Sequence, residues 1–117
     1  MSAILRIEDE WHDDTPVARL VGEIDASNVR EIGEHVRSLV TNHSFALVVD
    51  LSGTTYVDSA GINLLFAFGE ELRARQQRLA VVVVNGSPIA RMISLTGLDQ
   101  VIAMRQTLGE ALAAARG

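Results

Sequence analysis

The side chains able to do chemistry gather in one stretch, Val57-Asp58-Ser59-Ala60-Gly61-Ile62, where an acid, a hydroxyl and a glycine lie close together. Apolar residues follow at helical spacing, so Ser59 falls where a helix begins. Two readings of the serine stand open. As a helix cap, its oxygen accepts from the amide of Gly61 or Ile62 and does nothing further. As a modification site, the same hydroxyl lies on an exposed rim, where unpaired N–H groups and the positive end of the helix dipole tolerate a phosphate. A phosphoserine adds about −1.5 to −2 charge. Added beside Asp58, and near Asp25 if the strands run as expected, it would repel a partner fitted to the unmodified surface. A hundredfold loss of affinity needs only about 2.7 kcal/mol, which one desolvated charge at an interface can supply. Gly61 lets another backbone approach closely, and Asn63 lies on the outward side of the same helix.

Other chemistry is less well supported. A nucleophile elbow needs Gly-x-Ser-x-Gly, whereas here an acid precedes the serine and would oppose an oxyanion. His12, His35 and His43 fall in a turn, on a helix and in a loop, without zinc spacing or a convergent base. They read as solvated. Asp25, Asp50 and Asp58 at neighbouring strand ends could in principle hold magnesium, but Asp50 ends an apolar strand and can instead accept from the following loop. No metal site, no cofactor and no catalytic residue is expected.

The elements that position these residues can be read in order. Leu5 to Trp11 and Thr15 to Ile24 form an antiparallel hairpin around His12-Asp13-Asp14. Ala26, Val29, Ile32, Val36, Leu39 and Val40 mark a first helix, starting at Ser27 or Asn28 with Glu31 as a capping-box partner. Phe45 to Val49 reads as a strand covered on both faces, with Asp50 at its exit. After a polar loop with a turn at Gly53, Ile62, Leu65, Phe66, Gly69 and Leu72 form the buried stripe of a second helix reaching about Gln77. Glu71 and Arg75 are placed for an i,i+4 pair. Leu79 to Val84 is another buried strand. Ser87 and Pro88 start a third helix that Gly97 stops, Val101 to Met104 is a short edge strand, and Thr107 with Glu110 caps a last helix.

That alternation predicts an α/β fold, a central mixed, mostly parallel sheet of about five strands with about four helices and an N-terminal hairpin. In such sheets the loops leaving the strand C-termini form the functional rim. At 117 residues with 48% apolar content, and with no linker or repeat, residues 1–117 read as one domain. Fifteen acids against ten bases leave a net charge of −5, so no basic field gathers nucleic acid. All ten bases are arginine, which removes lysine-dependent phosphate loops and Schiff-base chemistry. The absence of cysteine excludes disulfides and thiol catalysis. Residues 1–8 show no basic flank followed by a long apolar region, and no apolar run approaches the roughly 20 residues that cross a bilayer. A cytoplasmic protein without membrane or nucleic-acid partners is expected.

The Gly22-Glu23-Ile24-Asp25 strand exit, the run from Val48-Val49-Asp50-Leu51-Ser52 to Val57-Asp58-Ser59-Ala60-Gly61-Ile62, and Leu95-Thr96-Gly97-Leu98 together resemble the STAS domain of bacterial anti-sigma factor antagonists. The resemblance spans almost the whole chain and keeps the order and spacing of the motifs. It implies a STAS-like fold and a non-enzymatic role. Ser59 matches the serine phosphorylated by the cognate anti-sigma factor, an ATPase-type serine kinase that brings its own ATP and magnesium. Asp58 matches the acid beside that serine, and Asp25 the acid on the surface the partner covers. Ser27, Gly61 and Asn63 complete the expected partner-binding set. The resemblance further implies that the unmodified protein binds the kinase and frees a sigma factor, that phosphorylation abolishes binding, and that a serine phosphatase restores it. A constitutive STAS subunit of a transport or sensory complex, with Ser59 only a cap, is the alternative.

Overall fold

The computed structural model describes residues 5–116; residues 1–4, which open the segment read for a targeting signal, and Gly117, at the end of the tail, lie outside the described residues. Strands β1 (Leu5–His12) and β2 (Thr15–Ile24) form the expected hairpin, with His12 opposite Thr15 and Leu5 opposite Gly22. Strands β3 (Ala46–Asp50), β5 (Arg78–Val82) and β6 (Ala103–Arg105) extend the sheet in parallel, in the order β1-β2-β3-β5-β6.

The sheet has a sixth strand, β4 (Thr54–Val57), in the segment the sequence presents as a polar loop. Its burial does not alternate, because Thr55 and Tyr56 are both exposed while Thr54 and Val57 are buried. Thr54 enters the interior by donating its Oγ1–H to the Leu20 carbonyl at 2.6 Å. Strand β2 is long enough to pair twice: Val17 to Arg19 lie beside β3, and Gly22 to Ile24 beside β4. The register shifts between Gly22 and Glu23, and Gly22 takes a φ of 118°, a region open to a residue without Cβ.

Strand alternation divides the core between two faces. Ala18, Leu20, Leu47, Val49 and Val81 face α1 (Val29–Leu39), α2 (Ser59–Ala74) and α3 (Pro88–Thr96), meeting Ile32, Val36, Leu65, Phe68, Leu72 and Ile93. Val17, Ala46, Val48, Ala80 and Val82 face α4 (Leu108–Arg116), whose Ala111 and Ala115 are small enough to lie close on the sheet. Each large apolar side chain fully buried in this way contributes about 1.5–3 kcal/mol.

The third helix forms as its local signals require: Ser87 Oγ accepts from Ala90 N at 3.1 Å, Pro88 is the first helical residue, and Gly97 closes the helix at φ 80°. Several other expectations change. Phe68, not Phe66, completes the buried stripe of α2, and that helix ends at Ala74 because Gln76 adopts a φ of 60°. Glu71 does not pair with Arg75; it accepts a two-pronged contact from Arg37 of α1 at 2.8 and 2.9 Å. The Arg37 guanidinium holds the Glu71 carboxyl below its usual range and is itself held more firmly protonated. Val101 is exposed ahead of the edge strand, in a bend after a short 3₁₀ turn at Leu98–Gln100. Glu110 N does bond Thr107 Oγ1, but its carboxylate reaches Gln106 N rather than Thr107. Among the described residues no helix is long and apolar enough to cross a membrane.

Candidate functional site

Parallel pairing of Ile24 with Val57 brings the next residues, Asp25 and Asp58, to the same edge of the sheet. The pairing continues one step beyond the strands, with Asp58 N donating to the Ile24 carbonyl at 3.2 Å. Asp58 is the N-cap of α2: its Oδ1 accepts from Gly61 N at 3.1 Å, while its Oδ2 accepts from Ala26 N at 3.2 Å. One carboxylate thus ties the start of α2 to the loop leaving β2. The capping role that the sequence allows for Ser59 belongs to its neighbour, whose side chain is one atom longer and can also span to Ala26.

Ser59 is the first residue of α2 and is exposed. Among the described residues its hydroxyl takes part in no hydrogen bond, so it is open to an incoming group. Ser27 is exposed too, but its backbone N–H and its hydroxyl both donate to Asp25 Oδ1. Asn63 is exposed one turn along α2. Gly61 is buried: a Cβ built there would clash with Val57 Cγ2 and lie 2.9 Å from Ile24 Cγ2. It therefore lets the helix settle on two strand-end side chains, rather than on another backbone, and offers no surface of its own. Of the hydroxyls in the preceding strand, Thr54 is buried, and Thr55 and Tyr56 are exposed.

The residue that sequence reasoning underrated is Asn28. Position and type mark it as a capping-box residue, and it does occupy the N-cap of α1, but its side chain makes no cap bond. Being only 6% exposed, it turns inward instead. Its Oδ1 accepts from Asp25 N at 3.0 Å and its Nδ2 donates to the Glu23 carbonyl at 2.8 Å, so it clamps the loop that carries Asp25. An Asn three residues after a strand-ending Asp was the available signal.

Asp50 does not join the two rim acids. It is 2% exposed, with Oδ1 accepting from Ser52 N at 2.9 Å and Oδ2 from Arg19 Nε at 3.0 Å. The bond to Asp50 is the main reason the Arg19 guanidinium pKa is raised, with smaller help from nearby Glu10 and Glu8. No group of three or more acidic or histidine side chains is placed to hold a metal among the described residues. His12 and His35 bond Glu10 and Asp9, at 2.9 and 2.7 Å, away from the serine.

The hairpin-led mixed sheet, with an acid and a free hydroxyl opening the helix that follows β4, defines a small α/β domain of the STAS type. Residues 7–115 match the family model described as "Mlab, STAS domain", and the chain belongs to that family. It is similar to the anti-sigma-F factor antagonist RsfB of Mycobacterium tuberculosis, with 34% identity over 106 residues, covering 91% of this chain and 85% of that one. An anti-sigma factor antagonist from Mycobacterium paratuberculosis, known from a crystal structure, superposes with a TM-score of 0.86 at 32% identity, covering 97% and 96% of the two chains. The anti-sigma factor antagonist SpoIIAA in its unphosphorylated form gives a TM-score of 0.68 at 25% identity, over 97% and 99% of the chains.

Proposed function

We propose that the protein is a cytoplasmic anti-sigma factor antagonist whose unmodified rim, with Asp25, Ser27, Asp58, Ser59 and Asn63, binds an ATPase-type serine kinase that otherwise holds a sigma factor. Transfer of the γ-phosphoryl group from the kinase's ATP to Ser59 Oγ ends the complex, and a serine phosphatase restores it. The observation that carries this reading is the Ser59 hydroxyl: exposed, at the start of α2, and without an internal partner among the described residues. The names of its relatives as anti-sigma factor antagonists support the same role.

The geometry supplies a mechanism. The positive end of the α2 dipole keeps a phosphate compatible with the fold. The same phosphate adds about −1.5 to −2 charge next to Asp58 and across from Asp25, where the local donors are neutral amides. A surface shaped to receive a partner then repels it, and a hundredfold loss corresponds to about 2.7 kcal/mol. With an acid as its neighbour and, among the described residues, no histidine bonded to it, Ser59 has no activating base of this chain's own, so the protein serves as substrate and ligand of the kinase.

The test is incubation with the cognate kinase and ATP, followed by mapping of the phosphate by mass spectrometry. Modification is expected at Ser59 and to be lost in Ser59→Ala. Phosphate confined to Thr55 or Tyr56, or none at all, overturns the assignment; stable binding with no modification points to a fixed subunit of a larger complex.

A further inference from the structure

The C-terminal half of α2 forms, with β5, the bend before β6 and α4, a groove of about 400 Å³. Phe66, Leu79, Val101 and Ile102 give it an apolar wall, and Arg73 and Arg78 line it together. Val101 is 61% exposed, so its side chain is accessible to a molecule entering the groove.

The two arginines are the informative part. In this acidic chain Arg6, Arg19, Arg30, Arg37 and Arg116 each face a carboxylate. Among the described residues Arg73 and Arg78 have neither an ion-pair partner nor a side-chain hydrogen bond; Arg75, Arg91 and Arg105 also lack a carboxylate partner there, but they do not line this groove. Glu70 lines the same groove and offsets one of the two charges, which leaves about one positive charge beside an apolar wall. Gln77 lines it as well, but its Nε2 is held by the Thr41 and Ser44 carbonyls and its Oε1 is closed to solvent, so it supports the wall rather than a ligand.

From this charge complementarity we propose that the groove binds a small amphiphilic monocarboxylate, with its acyl chain on Phe66, Leu79 and Ile102 and its carboxylate on Arg73 and Arg78. The volume lies within the roughly 300–1,000 Å³ of small-molecule sites, and the guanidinium fork matches a carboxylate in two-pronged fashion. Ser59 takes no part, so this inference stands or falls separately from the proposed phosphorylation.

The experiment titrates decanoate into the full chain, follows backbone amide shifts by nuclear magnetic resonance, and uses decanol as the uncharged control. Saturable shifts are expected at Phe66, Gly69, Val101 and Ile102, with decanol bound at least about tenfold more weakly, a difference of about 1.4 kcal/mol. The double variant Arg73→Gln, Arg78→Gln should lose a similar factor while its remaining spectrum is unchanged, since both side chains are exposed. Val101→Trp, at an exposed position, should fill the groove and block binding. No saturable shift, shifts centred elsewhere, or equal affinity for decanol or by the double variant overturns the proposal.

Discussion

Asp50 at the end of β3 and Asp58 just beyond β4 each accept a backbone N–H from the segment that follows, Ser52 N at 2.9 Å and Gly61 N at 3.1 Å, yet their second oxygens meet different partners. Asp50 is buried and receives the Arg19 guanidinium; Asp58 is half-buried and receives only the Ala26 amide. One acid is neutralised inside the fold. The other organises a loop and a helix while its charge remains at the rim beside Ser59. The same residue type, at two strand ends, is buried where a cation covers it and stays partly exposed at the rim where none does.

The contrast can be broken most severely at Arg19. Arg19→Ala strands a buried carboxylate and should cost about 3 kcal/mol in urea unfolding, but far less in an Asp50→Asn background; equal losses in the two backgrounds would show that Asp50 does not depend on Arg19. Next comes Gly61→Ala, whose Cβ meets Val57 and Ile24 and should cost about 2 kcal/mol through overpacking. A neutral effect there would mean that α2 is free to lift off the strand ends. Asp58→Ala removes the cap and the Ala26 tether, with an expected loss of about 1–2 kcal/mol, whereas Ser59→Ala should stay within about 0.5 kcal/mol of the parent. Thermal unfolding of the two side by side decides which residue is the cap, and the reverse order would return Ser59 to a structural role.

What could be read from the sequence was what is settled locally. Ser87, Pro88 and Gly97 delimit α3 within a dozen residues. The hairpin and the apolar strands were legible for the same reason. The rim was legible as a place but not as a network, because Asp58 meets Ala26 across 32 positions; at the far end of the helices the Arg37–Glu71 pair, 34 positions apart, was hidden for the same reason. Nothing in the spacing of Asp58 and Ser59 told which would cap α2. Strand β4 was hidden by two threonines, one of which is buried through a hydrogen bond to Leu20. Asn28 looked like a cap because it stands where caps stand, and only its burial turns its amide toward the β2 loop.

The central claim is that negative charge at Ser59 alone drives the partner away from a rim already acidic. The direct measurement is the dissociation constant of the cognate kinase for the unmodified protein, its Ser59-phosphorylated form and Ser59→Ala, by calorimetry at fixed ionic strength. The phosphorylated form is expected to bind at least about a hundredfold more weakly, about 2.7 kcal/mol, and Ser59→Ala like the parent. Equal affinity of the phosphorylated and unmodified forms would contradict it.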